Sequence, residues 1–304
     1  MTALDADAAA LRKNSRLPLM VLGVVVLSWG AGPVITKLIT APPVVGVILR
    51  FALSVPVLFA LVQLRGGRVS LETFRRAALP GLAFGVNLIF VFAAVQEATI
   101  AVIAVSIALQ PALLLFVAGP LFGERPTLAH VMWTFFGVLG AAVVILGAGE
   151  ELRASGLGIL FAIMALLTFS VYFVLTRLAR STVDVDPVEW MAAINVWSLV
   201  AALVPAPFLI RSGDFGQLDW TDFFWLLVLA YLTGVFGHVL MSWVHGYIEA
   251  ARSALYLLSM NLVAVGLAWP VHDEPVTLIQ LVGGLVVLIS VASVIRLPPR
   301  VASS

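Results

Sequence analysis

Residues 121–128 read LFGERPTL, and residues 271–278 read VHDEPVTL. Each is an acidic, proline-marked corner set between long blocks of Leu, Val, Ala and Phe. The recurrence asks for a unit that is written twice. The blocks around the corners decide what that unit is made of. Of the 304 residues, 62% are hydrophobic and 11% charged, with a mean hydropathy of +1.11. Water-soluble domains carry roughly 25% charged residues, so this chain lacks the charge to cover a water-facing surface and must be solvated by lipid. The net charge of +1 and the absence of a basic run give no sign of a nucleic-acid partner. With no cysteine, disulfides, thiolate chemistry and Cys-ligated metals are excluded. The N-terminal MTALDADAAALRKNSR leads into a full-length apolar segment without a small-residue cleavage site, so a removed signal peptide is not expected.

A helix needs about 20 apolar residues to cross roughly 30 Å of hydrocarbon. That window predicts ten spans: 17–38, 44–64, 74–95, 99–122, 128–148, 156–178, 188–210, 222–245, 250–271 and 277–297. Helices are expected because lipid offers backbone amides no partners, and the alternation of a membrane barrel is absent. Basic residues favour cytoplasmic loops. Starting inside places Arg12, Lys13, Arg16, Arg65, Arg68, Arg75, Arg76, Arg125, Arg177, Arg180, Arg252, Arg296 and Arg300 in the cytoplasm. Lys37, Arg153 and Arg211 then lie outside, and Arg50 within a span. The reading is a multi-pass protein of the cytoplasmic membrane with both termini cytoplasmic.

The corners belong to a longer repeat. SWGAGPVITKL (28–38) matches TFSVYFVLTRL (168–178), with Trp29 over Phe169 and Lys37 over Arg177. GLAFGVNLIFVFAAVQEA (81–98) matches TGVFGHVLMSWVHGYIEA (233–250), with Gly85 over Gly237 and Glu97 over Glu249. Glu124, Thr127 and Leu128 then align with Glu274, Thr277 and Leu278. The expected fold class is an all-α integral membrane protein of ten transmembrane helices in two inverted five-helix repeats. Residues 17–148 form the first and 156–297 the second, with tails 1–16 and 298–304. Five spans per half make the second half enter from the opposite side, as in many secondary transporters, whose substrate site lies where the halves meet.

The WG of span 1, Arg50 in span 2 and ALQPALLLFVAGPLFGERPT across spans 4–5 resemble the drug/metabolite transporter superfamily, EamA type. The resemblance covers about residues 17–297. It implies ten spans in two halves and export of amino acids, other small metabolites or drugs. The sequence departs from the pattern at Asn261, where the first half has Pro111, at Asp273 in place of the Gly before the acid, and at Phe169-Ser170 in place of Trp-Gly.

Ionisable residues inside spans are costly and mark function by default. Arg50 is a candidate to receive a substrate carboxylate through a bidentate pair. Its bland alternatives are an ion pair to Glu97 or snorkelling to the interface. In span 8, His238, Ser242, His245 and Glu249 follow helical steps along one face. The stripe reads either as a proton path, with protons the coupling ion, or as an interhelical hydrogen-bond seam. A cavity is expected from Trp29, Asn87, Ser106, Gln110, Tyr172, Tyr256 and Asn261 beside Arg50 and His238: aromatic walls with a few amides and hydroxyls for a small, partly apolar ligand. Glu124 and Glu274 open spans 5 and 10 and read as structural corners at helix N-termini. Gly137, Gly140 and Ala141 form a small-residue face, and Gly283 and Gly284 another, suited to helix contact or a homodimer.

The expected function is a secondary active transporter of small organic solutes. The alternatives are a phospholipid scramblase and a membrane-embedded enzyme. No phosphate loop is present, the spacing of His238 and His245 is not that of a zinc motif, and no cofactor or metal is expected. A neutral or zwitterionic solute such as an amino acid fits better than a sugar phosphate, which would demand several deep cations.

Overall fold

The computed structural model describes residues 16–110, 113, 124–125, 127–147, 154–180, 185–244, 259–297 and 300–301. The main helices are α1 (Arg16–Lys37), α2 (Pro43–Leu64), α3 (Ala78–Glu97), α4 (Ile100–Ala108), α5 (Leu128–Leu146), α6 (Gly156–Arg180) and α7 (Pro187–Leu203). They are followed by α8, a rod running through Trp220–Val228, Leu229–Phe236 and Gly237–Val244, then α9 (Ser259–His272) and α10 (Leu278–Arg296). Short helices Leu71–Arg76 and Ala206–Leu209 lie in connections, and Glu124–Arg125 pairs antiparallel with Arg300–Val301.

A described helix lies in every predicted span, although α4 and α9 cover only part of 99–122 and 250–271. Six helical stretches are long and apolar enough to cross a membrane, namely α1, α2, α3, α6, α7 continued to Leu209, and α8, while α5 and α10 carry shorter apolar runs, Leu128–Val144 and Leu278–Val294. Their outward residues confirm the solvent. On α5 these include Met132, Phe135 and Leu139, and on α10 Leu281, Leu285 and Ile289, all exposed. Patches of that extent on a water-soluble monomer would be a liability; against acyl chains they are the expected surface.

Helix packing repeats when the first half is exchanged for the second. α3 lies on α6 and α8 on α1; α3 lies on α7 and α8 on α2; α9 lies on α1 and α4 on α6. α2–α7, α4–α9 and α5–α10 join the halves directly. The main core cluster is built from α2, α3, α7 and α8, with Phe51, Phe84, Phe92, Trp190 and Leu226 buried in it.

The α5–α10 pair shows the repeat most closely. Thr127 and His130 form a capping box at the start of α5, Thr277 and Gln280 one at the start of α10. The backbone N–H of Thr127 donates to His130 Nδ1 at 3.1 Å, which leaves Nε2 to donate to the Leu297 carbonyl at the end of α10, 3.3 Å away. Reciprocally, Thr277 Oγ1 donates to the Gly147 carbonyl at the end of α5 (2.8 Å) and Gln280 Nε2 to that of Val144 (3.3 Å). Each helix thus caps the other's C-terminus, which requires them to be antiparallel. At their crossing a methyl added to Gly140 would come within 2.7 Å of the Gly283 carbonyl oxygen, and one on Gly283 within 2.8 Å of that of Gly140. The face of Gly283 is therefore taken by Gly140 in the same chain.

The second corner corrects one expectation. Glu274 does not serve the helix it precedes, since α10 is capped by Thr277 and Gln280. Its Oε2 instead accepts from the backbone N–H of Ile100 at the start of α4 (2.8 Å), and its Oε1 pairs with Lys37 at the end of α1. Lys37 also donates to the Ala98 carbonyl at 2.9 Å. Asp273 beside it adopts φ 53°, a left-handed conformation that Asp tolerates and glycine prefers. The side chain of Glu124 lies outside the described residues.

Candidate functional site

The site begins with a fault in α8. Residues Leu229–Phe236 wind as a π-helix, a form that recurs at functional positions because it widens the turn and turns backbone carbonyls outward. Side chains from three helices meet those carbonyls. Ser28 Oγ donates to Leu232 O at 2.8 Å and Trp29 Nε1 to Thr233 O at 3.1 Å, both from α1. Ser54 Oγ, on α2, reaches Ala230 O at 3.5 Å while donating to Arg50 O at 2.8 Å. His238 Nδ1 lies 2.7 Å from Gly234 O and 3.1 Å from Thr233 O. Both neighbours are carbonyls and can only accept, so Nδ1 carries the hydrogen and Nε2 holds the lone pair.

Arg50 is 8% exposed and lies against this fault. Its Nη2 donates to Thr233 Oγ1 at 3.4 Å, and Thr233 in turn donates to Leu229 O at 2.7 Å. Among the described residues no carboxylate comes within ion-pair distance of Arg50. Neither bland alternative holds there: Arg50 is buried rather than snorkelling, and Glu97 accepts from Ser155 Oγ at 2.9 Å. An aromatic wall continues the cluster. Trp29 and His238 have ring centroids 5.0 Å apart, Phe84 and Tyr172 4.8 Å, Phe169 and Tyr172 5.8 Å and stacked, with Phe84 edge-on to His238 at 6.3 Å and to Phe51 at 5.9 Å. The cluster draws on α1, α2 and α3 of the first half and on α6 and α8 of the second.

The model of the EamA-like transporter family matches residues 17–146 and again 156–296. The chain belongs to that family. Membership of the drug/metabolite transporter superfamily follows, and with it a role as a multi-pass membrane transporter. An uncharacterized transporter of Archaeoglobus fulgidus is 25% identical over 284 residues, 91% of this chain and 98% of that one. A crystal structure with a TM-score of 0.63 and 19% identity, covering 91% of this chain and 95% of the other, shares the fold.

Within this EamA-like transporter the candidate residues separate into groups. Trp29, Arg50, His238 and Tyr172 come together around the fault in α8. Asn87 is buried on α3 three residues after Phe84 and donates from Nδ2 to Ala165 O at 2.7 Å, tying α3 to α6. Ser106 donates to Val102 O of its own helix at 2.8 Å. Gln110 has a buried Nε2 with no hydrogen-bond partner among the described residues. Asn261 lines a different space, an apolar cavity of about 80 Å³ between α4, α9 and α10. Tyr256, His245 and Glu249 lie outside the described residues, as does the side chain of Ser242, so the stripe is described only at His238.

Sequence reasoning missed Phe84, Phe51, Thr233 and the π segment itself. The available signal was Thr233-Gly234 ahead of Gly237, a helix-weakening run inside a span. Among the described residues no group of His and acids is spaced to hold a metal.

Proposed function

We propose that this transporter is a secondary carrier that exports a small organic solute, an amino acid, metabolite or drug, across the cytoplasmic membrane by alternating access. Its ten helices form two inverted five-helix repeats, both termini are cytoplasmic, and the corner holding Lys37 and Glu274 faces outside. Protons are the proposed coupling ion, entering at His238. The observation that carries the reading is the cluster of buried Arg50 and Thr233 with half-buried His238, assembled from helices of both halves at an irregular turn of α8. Inverted-repeat carriers place their substrate at such a junction, where unwound helix supplies polar groups inside an apolar bundle. The antiparallel, mutually capped α5–α10 pair supports the inversion.

Counterflow in proteoliposomes tests it. Vesicles preloaded with pooled unlabelled amino acids, amines or organic acids should accumulate the matching label above protein-free vesicles. No accumulation from any pool, with folded protein shown to be incorporated, would count against a carrier.

A further inference from the structure

Away from the Arg50 cluster, α9 and α10 each pack on α4, and the space between them is the apolar cavity of about 80 Å³. Its floor is α4, at Ala101, Ala104 and Ala108, all buried. Its rim is Leu262 of α9 with Leu281 and Leu285 of α10, all exposed on the surface that meets acyl chains. Gly284 lies in the wall, with nothing within 4 Å of where a Cβ would stand. From Gln280 to Leu288 the groove follows α10 for about 12 Å, at 1.5 Å per residue.

The groove has a polar end. A smaller cavity of about 10 Å³, room for one water-sized group, shares Ala101, Val265, Val276 and Gln280 with it and adds Thr99 and Glu274. Thr99 is the N-cap of α4, a place where a hydroxyl ordinarily accepts from an N–H of the first turn. Its side chain makes no such bond; Glu274 Oε2 takes the N–H of Ile100 instead. Thr99 is 7% exposed, and its Oγ1 has no hydrogen-bond partner among the described residues. A buried hydroxyl in that state is costly, so a partner is expected in the space it lines.

A water would satisfy Thr99 but finds no partners along the apolar limb, and an empty limb forfeits dispersion contact. A helix of a second copy, about 10–12 Å across with its side chains, is too broad to pass between α9 and α10 to the α4 floor. A single unbranched chain entering from the bilayer fits both parts. We infer that the groove is a lipid site: one acyl chain of a bilayer phospholipid lies on α4 between α9 and α10, and its ester carbonyl accepts from Thr99 Oγ1. The ester marks the boundary between headgroup and hydrocarbon, and Thr99 stands at the matching level, between the end of α3 and the start of α4. This site needs the membrane-spanning fold and not the carrier reading.

A phosphatidylcholine with a diazirine near the end of one chain tests it. The purified full chain is irradiated in detergent micelles holding this lipid, and adducts are mapped by mass spectrometry of its peptides. Adducts are expected on residues 101–108 of α4, which a lipid lying on the outer surface cannot reach, as well as on outward residues such as Phe135 and Leu139 of α5. Unlabelled diester lipid should suppress the α4 adducts severalfold better than a diether lipid of the same chains, which lacks the carbonyls. Thr99→Val, which removes the hydroxyl and keeps the shape, should make the two competitors equal. Gly284→Leu, which adds bulk to the wall, should cut the α4 adducts severalfold and leave those on α5 unchanged. Wild-type adducts confined to the outer surface overturn the inference, and a dimer by light scattering would then name a second copy as the cover. Equal competition by diester and diether lipid in the wild type also overturns it, leaving water as the partner of Thr99. Neither result depends on a variant that folds.

Discussion

Asp222 shows how far a single side chain reaches in this fold. It sits in the first turn of α8, 2% exposed, and accepts from Thr40 twice, from the backbone N–H at 2.7 Å and from Oγ1 at 2.8 Å. The turn after α1 is thereby bound to the start of α8. Hydrogen bonds to a buried charge contribute roughly 1.5–3 kcal/mol, and leaving the Thr40 donors unmet adds to the loss. Asp222→Ala should therefore lower stability by about 2–3 kcal/mol, and Asp222→Asn, which keeps one acceptor, by about half as much. Unfolding midpoints in detergent measure both. A midpoint for the Ala variant equal to that of the wild type would mean the tie to Thr40 carries no stability. In the sequence Asp222 looks like an ordinary acid in a first helical turn, because its partner lies 182 residues away. Glu274 was legible as a corner residue for its position before α10, yet it caps α4 and holds α1. Adjacency in sequence named the wrong helix.

At the scale of elements, hydrophobic length placed the helices well because lipid enforces one rule on every span: the apolar run must be long and its backbone closed. The repeat was legible as well. Glu124, Thr127 and Leu128 recur as Glu274, Thr277 and Leu278, and the structure adds equivalent capping boxes at the two threonines. The π turn of α8 had only Thr233-Gly234 as a signal, since a helix-weakening run does not specify the wider backbone pairing of a π-helix, and several side chains that meet its carbonyls come from α1 and α2. Phe84 escaped notice because one Phe among the 18 of the chain gives no signal until its neighbours are known.

The α5–α10 crossing offers an element-scale test. Gly140 and Gly283 let the two backbones touch, whereas Gly284, one residue on, faces open space. Gly140→Leu would drive a side chain into the α10 backbone and should cost at least the 1–3 kcal/mol typical of overpacking. Gly284→Ala should stay within about 0.5 kcal/mol of the wild type. Paired denaturation midpoints decide it, and equal loss from both would show that the crossing is not the tight contact.

For the whole molecule, the proposed carrier cycle turns on which contacts must break for the two faces to open in turn. On the face that carries Lys37 and Glu274, one carboxylate joins the end of α1, the start of α4 and the α9–α10 corner, and a small cavity beside it is lined by Thr99, Glu274 and Gln280 together with apolar residues such as Ala101, Val265 and Val276. These helices cannot separate there while Glu274 holds both Lys37 and Ile100. A hydrogen bond between charged groups contributes roughly 1.5–3 kcal/mol, and 1.4 kcal/mol is tenfold in an equilibrium. Glu274→Gln keeps the shape and an acceptor for Ile100 but removes the ion pair, so it should raise the population open at this face about tenfold. The chain has no cysteine, so Thr99→Cys introduces a single thiol at a buried position beside the latch, where Thr99 Oγ1 has no partner among the described residues. Its modification by a charged methanethiosulfonate in proteoliposomes should run about tenfold faster with Glu274→Gln than without. Because the proposed alternating-access cycle closes one face to open the other, the same substitution should slow exchange even though it touches nothing around Arg50. Equal labelling rates in the two backgrounds would show that the ion pair does not govern opening, and the energy that holds this face shut would then lie in the apolar packing of α1 against α9.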